Sequence, residues 1–234
     1  MSERFFVEQP ITGSSAELVD AEAQHLSRVM RVAVGDEVVL FDGSGAQFTA
    51  KVARIAKAAV TLDVLERHEV NCEPRVELTL AVALPKGERQ KWLVEKLTEL
   101  GAARLVPLVT ERGVAQPVDA ALARLRRGVI EASKQCGRNR LMEIGLPQTA
   151  GDYFASPDTA SSGPRLIAEP GGESLGTLPA TLRQLTCAIG PEGGFTPAEL
   201  KAALDHQWRP VSLGTSILRI ETAAIAVAAW AALA

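Results

Sequence analysis

The chain has 234 residues, of which 47% are apolar and 23% are charged, and its formal net charge is −3. This length fits one large domain or two small ones, and the acidic balance argues mildly against a protein that coats nucleic acid through bulk charge, while it leaves local basic patches open. The most apolar run spans only residues 222–234, whereas a membrane helix needs roughly 20 residues, and no hydrophobic signal segment follows the N-terminus, so the chain is expected to be cytoplasmic.

The first third of the chain is predicted to be mostly β. Asp20 is predicted to cap a short helix that runs to Arg31. Three segments alternate between apolar and polar residues and predict strands: 37–41, 47–55 and 58–65, with a tight turn at 42–45. Short strands joined by tight turns favour a small barrel or meander. The charged segment 66–74 is the expected linker.

After Pro74 strands and helices alternate, which predicts a mostly parallel sheet. The predicted strands are 75–83, 104–109, 165–168, 185–189 and 210–213. The predicted helices are 88–100, ended by Gly101; one after Asp119 as a possible cap, ended by Gly137; one at the capping box 196–199; and one from about Glu221. Residues 156–164 are polar and are expected to form a loop.

Two glycine-rich segments follow the last two predicted strands. Residues 190–195 read GPEGGF and residues 213–223 read LGTSILRIETA. The carboxyl ends of parallel strands meet at one edge of a sheet, so the two segments are expected to hold one ligand between them. Neither contains the P-loop or the dinucleotide fingerprint, which removes the two commonest phosphate-binding interpretations. From the residues alone, capping or mutual pairing is slightly favoured for Arg219 and Glu221.

Other polar and reactive residues give weaker indications. Basic residues cluster on one predicted helix face near residue 28 and again at 124–140, and either solvated surface or phosphate binding explains them. The three histidines share no ligand spacing, which predicts that there is no metal site. The cysteines Cys72, Cys136 and Cys187 are odd in number and lack paired spacing, so they fit neither a disulfide framework nor a zinc site, and all three are interpreted as reduced packing residues.

The combined motifs resemble the RsmE methyltransferases of the SPOUT superfamily. Besides the two glycine segments, the resemblance rests on 25–31 (HLSRVMR), 34–36 (VGD), 41–43 (FDG), 86–92 (KGERQKW), 95–101 (EKLTELG), 110–112 (TER) and 131–140 (EASKQCGRNR). The motifs occur in order and cover nearly the whole chain. Two positions depart from the family pattern: Ile220, where a small residue or threonine is usual, and Ser216, which is often basic.

The resemblance implies an S-adenosylmethionine-dependent methyltransferase that modifies N3 of a uridine in 16S ribosomal RNA of the small subunit. It implies a PUA-like RNA-binding barrel over residues 1–72 and a SPOUT domain over 73–234, with a mostly parallel sheet and a deep trefoil knot. It also implies a homodimer. General fold rules could not have supplied the knot, because true knots are essentially absent from proteins.

The resemblance also implies roles for particular residues. The expected cofactor-binding residues are Glu169, Pro170, Ile189, Gly190, Glu192, Gly193, Gly194, Leu213, Gly214, Ile217 and Leu218. From their position beside the second glycine-rich segment, Arg219 is expected to stabilise negative charge on the uracil, and Glu221 to orient Arg219 or to assist proton removal. The expected RNA-binding residues are Arg28, Arg31, Lys86, Arg112, Lys134, Arg138 and Arg140.

Two other classes of function compete with this interpretation. A non-catalytic RNA-binding or ribosome-assembly factor would keep the fold without the chemistry, but it would not need intact glycine loops. A small-molecule enzyme with a nucleotide cofactor on a plain doubly wound sheet is disfavoured, because both phosphate-binding fingerprints are missing.

Overall fold

The computed structural model describes residues 3–114, 119–156, 163–179 and 181–234. Internal contacts divide the chain into two compact units. The N-terminal unit contains residues 1–73 and 130–141, and the C-terminal unit contains residues 74–129 and 142–234. The predicted division into 1–72 and 73–234 places residues 130–141 in the other domain. No helix in the described residues is both long enough and apolar enough to span a membrane.

A five-stranded sheet organises the N-terminal unit. Its strands are β1 (Arg4–Phe6), β2 (Ser15–Val19), β3 (Glu37–Phe41), β4 (Ala46–Ile55) and β5 (Ala59–Glu69), in the order β1-β3-β4-β5-β2. The first and last strands of this order, β1 and β2, do not pair with each other within the described residues, so the sheet is an open half-barrel. Alternate side chains point inward and build the core of this unit, as the period of two requires.

The three predicted strands of this unit are confirmed, and two expectations nearby are wrong. The expected linker begins too early, because β5 continues to Glu69. The predicted helix is present as α1 (Asp20–Gln24) and a π-helical turn over His25–Val29, but Val19 occupies the cap position. Asp20 has a φ of +48°, a conformation that aspartate tolerates better than most residues, and its backbone N–H donates to Ala58.

A mostly parallel sheet organises the C-terminal unit, as predicted. Its strands are β6 (Glu77–Val82), β7 (Arg104–Val109), β8 (Glu143–Ile144), β9 (Gln148–Thr149), β10 (Arg165–Ser174), β11 (Gln184–Ile189) and β12 (Arg209–Ser212). The order is β12-β10-β11-β6-β7-β8, with β9 also paired to β7, and the observed pairs are parallel.

Within the described residues, five α-helices accompany this sheet. They are α2 (Glu88–Glu99), α3 (Asp119–Cys136), α4 (Ala150–Ala155), α5 (Pro197–Asp205) and α6 (Ile220–Leu233), and the last part of α3, from Ile130, belongs to the N-terminal unit. Gly101 and Gly137 end their helices with φ values of +77° and +82°, as predicted. Asp119 is already helical, so it is not the cap.

Several elements were not predicted from the sequence. The short strands β1, β2, β8 and β9 and the short helix α4 were missed, because elements this short carry little periodicity. Most of the expected loop at 156–164 lies outside the described residues.

The cysteines fall into two groups. Cys187 is buried in β11, and burial raises the pKa of its thiol to about 12, so the group stays protonated and packs as a small apolar side chain. Cys72 and Cys136 are exposed, so the prediction that they are packing residues is wrong.

Candidate active site

The carboxyl ends of three adjacent strands, β12, β10 and β11, surround a cavity of about 700 Å³ in the C-terminal unit. The two glycine-rich segments therefore lie at one edge of the sheet, as predicted. Every residue predicted to bind the cofactor lines the cavity: Glu169, Pro170, Ile189, Gly190, Glu192, Gly193, Gly194, Leu213, Gly214, Ile217 and Leu218. Sequence reasoning thus found the residues of the cavity wall, and their contacts with a cofactor remain a prediction.

The segment after β11 forms the first wall. Gly194 adopts a φ of +69°, and its N–H donates to the carbonyl of Pro191 at 2.8 Å, which closes a tight turn. Phe195 then enters the core, with its ring centroid 5.7 Å from that of Phe154. The predicted capping box follows, because Thr196 and Glu199 exchange side-chain-to-backbone hydrogen bonds. A buried strand and a buried ring thus fix both ends of the turn.

The segment after β7 is hydrogen-bonded to this first wall and to α5. Arg112 Nη1 donates to the carbonyl of Gly193 at 2.8 Å, and Arg112 itself lines the cavity. Glu199 Oε1 accepts from the backbone N–H of Glu111 at 2.9 Å. The same glutamate that caps α5 therefore also fixes the loop that carries Arg112.

The segment between β12 and α6 forms the second wall. Gly214 has a φ of +137°, and a side chain at this position would meet open space rather than protein. Ile217 lines the cavity with 90% of its surface exposed. Ile220, which departs from the family pattern, is the first residue of α6. It is buried and also lines the cavity, an environment that suits an apolar side chain.

A bulge in β10 forms the third wall. Ala168 and Glu173 both pair with Val211 of β12, so the intervening four residues, 169–172, leave the ladder. Glu169, Pro170 and Gly171 line the cavity. Gly172 returns the chain so close to β12 that an added Cβ would lie 2.5 Å from the backbone carbon of Pro210. Glu169 and Pro170 were predicted at this site, but the predicted strand ends at residue 168, whereas β10 resumes after the bulge and continues to Ser174. The adjacent glycines Gly171 and Gly172 were the sequence signal for the bulge.

The cavity wall combines apolar side chains with two carboxylates. Ile189, Leu213 and Leu218 supply apolar surface, and Glu169 and Glu192 supply the carboxyl groups. Partial burial raises the pKa of Glu169 above its usual value. This combination suits a ligand that has a flat apolar part and a positive charge.

The predicted catalytic residues lie beside the cavity, at the start of α6. Arg219 is the exposed cap residue and Glu221 is buried in the first turn, and neither lines the cavity, although their neighbours Ile220 and Ala223 do. The cation beside Glu221 is Arg89, with Nη1 at 3.7 Å from Oε2. Sequence reasoning expected Arg219 as this partner and assigned no role to Arg89.

The predicted RNA-binding residues divide into two groups. Arg28, Arg31, Lys86, Arg112 and Arg140 are exposed. Lys134 lies 2.8 Å from Glu22, and its side chain is only 9% exposed. Arg138 is buried, and its Nε donates to Glu73 at 2.9 Å. The side chains of Lys134 and Arg138 are therefore committed to contacts within the N-terminal unit.

Comparison with known proteins identifies the family. The family described as "RNA methyltransferase domain" matches residues 72–232, and "RNA methyltransferase PUA domain" matches residues 18–65. The ribosomal RNA small subunit methyltransferase E of Synechocystis sp. is 36% identical over 222 residues, which cover 92% of this chain and 72% of that protein.

Two solved structures are similar over nearly their full length. A ribosomal RNA small subunit methyltransferase E from Neisseria gonorrhoeae, bound to S-adenosyl methionine, is 28% identical with a TM-score of 0.89. A proposed methyltransferase from Legionella pneumophila, in complex with the same cofactor, is 30% identical with a TM-score of 0.89. Each alignment covers 98% of this chain and 96% of the other. The chain belongs to the ribosomal RNA small subunit methyltransferase E family, with an N-terminal PUA domain and a C-terminal SPOUT methyltransferase domain.

Proposed function

We propose that this protein transfers a methyl group from S-adenosylmethionine to N3 of a specific uridine in 16S ribosomal RNA of the small subunit. The observation that carries the proposal is the single cavity built by three loops at the carboxyl edge of a parallel sheet. The relative from N. gonorrhoeae binds S-adenosyl methionine. We expect this cavity to be the corresponding site in the present chain.

The cavity residues fit this cofactor. Gly194 and Gly214 leave open space where side chains would otherwise project, so backbone groups can approach a ligand closely. The apolar residues Ile189, Leu213 and Leu218 would hold the adenine, and the carboxylate of Glu192 would lie near the positive sulfonium. When bound, the cofactor supplies an electrophilic methyl group.

The acceptor imposes a further requirement, because N3 of uridine carries a proton at neutral pH. The proton must leave as the methyl group is transferred, and the negative charge that develops on the uracil must be stabilised meanwhile. Glu221 Oε2 is buried and has no hydrogen-bond partner within the described residues. We assign proton removal to this oxygen, and stabilisation of charge on the uracil oxygens to Arg219, which stands exposed at the start of the same helix.

RNA must deliver the base to this site in an unpaired state, because N3 lies on the pairing edge. Cationic side chains that contact phosphates need exposed surface. Arg28, Arg31, Lys86, Arg112 and Arg140 meet this condition. Lys134 and Arg138 are paired with carboxylates, so we assign them to the structure of the N-terminal unit instead.

The finer properties implied by the resemblance belong to the same proposal. We propose that residues 73–234 form a deep trefoil knot, that the protein acts as a homodimer, and that it works in the cytoplasm, where ribosomal subunits are made. We also propose residues 1–72 as the RNA-binding domain. Among the described residues, no cluster of three His, Cys, Asp or Glu side chains could hold a metal ion.

Calorimetry with S-adenosylmethionine, followed by nucleoside analysis of treated small-subunit RNA, tests the proposal. We expect saturable binding of the cofactor and the appearance of N3-methyluridine. Absence of cofactor binding at high protein concentration would overturn the proposal. Cofactor binding with a methylated nucleoside other than N3-methyluridine would overturn the assigned acceptor atom but keep the methyltransferase.

A further inference from the structure

We propose that Arg89 is a positioning residue for methyl transfer, an inference that rests on the function proposed above. Arg89 lies in the first turn of α2, inside the sequence motif 86–92, in which only Lys86 was assigned a role. Its guanidinium faces two carboxylates from different parts of the site. Nη2 lies 3.4 Å from Glu192 Oε1, and Nη1 lies 3.7 Å from Glu221 Oε2.

The two carboxylates have distinct places in the active site. Glu192 belongs to the glycine-rich wall after β11 and lines the cavity, with its side chain 42% exposed. Glu221 belongs to the first turn of α6, and its side chain is only 7% exposed. The guanidinium of Arg89 therefore connects the first wall of the cavity, through Glu192, to Glu221, the residue that we assign to proton removal. A guanidinium suits this role because its donors form a rigid fork.

The geometry favours positioning over stabilisation of the fold. The Arg89 side chain is 41% exposed, and ion pairs with an exposed partner contribute little to the stability of a fold. A buried carboxylate oxygen without a hydrogen bond is unfavourable for the folded protein. Glu221 Oε2 is such an oxygen, and the 3.7 Å separation from Arg89 supplies charge without a close hydrogen bond. This oxygen therefore has a guanidinium as its neighbour but no hydrogen-bond donor within the described residues.

This arrangement predicts a specific kinetic defect. Without the guanidinium, Glu192 and Glu221 lose the cation that fixes their separation, so the cofactor wall and the acid can shift relative to each other. Small displacements of reacting groups cost up to about 100-fold in rate. We expect Arg89→Met to slow single-turnover methylation by about 10- to 100-fold, while the affinity for S-adenosylmethionine falls much less.

The test compares wild-type protein, Arg89→Met, Arg89→Lys and Lys96→Met in cofactor binding and single-turnover methylation of small-subunit RNA. Lys96 is a matched control, because it is another cation on α2 that bridges two carboxylates, Glu95 and Glu99, and neither of these lines the cavity. We expect Lys96→Met to behave as wild type and Arg89→Lys to recover part of the lost rate. Wild-type protein that neither binds the cofactor nor methylates RNA would overturn the proposed function, whereas an active wild type with a fully active Arg89→Met would overturn only the role of Arg89.

A double-mutant cycle tests the coupling to Glu221 directly. If Arg89 acts through Glu221, Glu221→Gln should slow the reaction less in the Arg89→Met background than in wild type. Fully additive effects on the rate would contradict the proposal. The same cycle with Arg89→Lys applies if Arg89→Met does not fold.

Discussion

The cavity of the C-terminal unit and residues 130–141 of the N-terminal unit both carry dense sequence motifs, but they are built by opposite means. Glycines and apolar side chains make up much of the cavity wall, and the polar contacts of Arg112 and Glu192 connect that wall to neighbouring segments. In residues 130–141, by contrast, side chains do the bonding. Arg138 binds Glu73, Asn139 accepts from Arg4 Nη2 at 2.7 Å, and Lys134 lies 2.8 Å from Glu22.

This difference distinguishes residues that can bind a ligand from residues that stabilise the fold. Sequence alone interpreted Arg138 as an RNA contact, since exposed and buried arginines look identical in a motif. The Arg138 side chain is 4% exposed and pairs with Glu73, which supports the proposal that it stabilises the N-terminal unit and does not contact phosphate. Glycines that line a cavity let a ligand approach the backbone, whereas buried charges with partners stabilise the fold.

The largest expected effect concerns Glu221. Glu221→Gln keeps the shape of the side chain but removes its capacity to accept a proton. Single-turnover methylation should therefore slow by about 100-fold or more, while cofactor binding changes little because Glu221 does not line the cavity.

Rapid-quench measurement of methyl incorporation checks this prediction. Glu143→Gln is the control, because Glu143 is 62% exposed and pairs with Arg104 away from the cavity wall. An unchanged rate in Glu221→Gln would transfer proton removal to another group.

The next effect compares two left-handed glycines, one from each region. Gly214→Val and Gly137→Val each place a β-branched residue at a positive φ, of +137° and +82°, where nothing lies within 4 Å of an added Cβ. Each should cost roughly 1–3 kcal/mol through backbone strain. Only Gly214→Val should also weaken cofactor binding, because Gly214 lines the cavity and relief of the strain would move the cavity wall. A strain of this size corresponds to a loss of affinity of about tenfold or more.

Calorimetry with S-adenosylmethionine, together with urea unfolding of both variants, separates the two costs. Equal losses of cofactor affinity in Gly214→Val and Gly137→Val would show that general destabilisation, and not the cavity wall, sets the affinity.

A third prediction concerns the paired region. Arg138→Met leaves Glu73 without this guanidinium and should lower the free energy of unfolding by about 2 kcal/mol, less than the roughly 3–5 kcal/mol of a fully buried pair, because Glu73 is 22% exposed. Denaturant unfolding measures the loss, and cofactor affinity should stay at the wild-type value. A loss of cofactor affinity without a loss of stability would contradict the assignment of Arg138 to the structure of the N-terminal unit.

Much of the architecture follows from sequence patterns, and what was missed has physical causes. Apolar alternation and capping residues predicted the long strands and helices, and glycines after Ile189 and Ser212 predicted the cavity edge. The bulge at 169–172 was missed because the strand resumes only through its register with Val211, a long-range contact that leaves no local pattern. The pair between Arg89 and Glu221 was missed for the same reason, since 132 positions separate residue 89 from residue 221.

The smallest expected effect concerns Arg140, the exposed neighbour of Arg138. Its backbone pairs with Ser44 across an isolated bridge, while its side chain is exposed. Arg140→Ala should therefore weaken RNA binding only a few-fold, leave unfolding unchanged, and reduce the dependence of log affinity on log salt by about 0.7, the value for one phosphate contact on a single strand. Filter binding of small-subunit RNA across a salt series measures both quantities, with the exposed Arg183→Ala as control. If Arg138→Met reduced the salt dependence and Arg140→Ala did not, the division between paired and RNA-binding arginines would be wrong, because only a cation that releases counterions from RNA changes that slope.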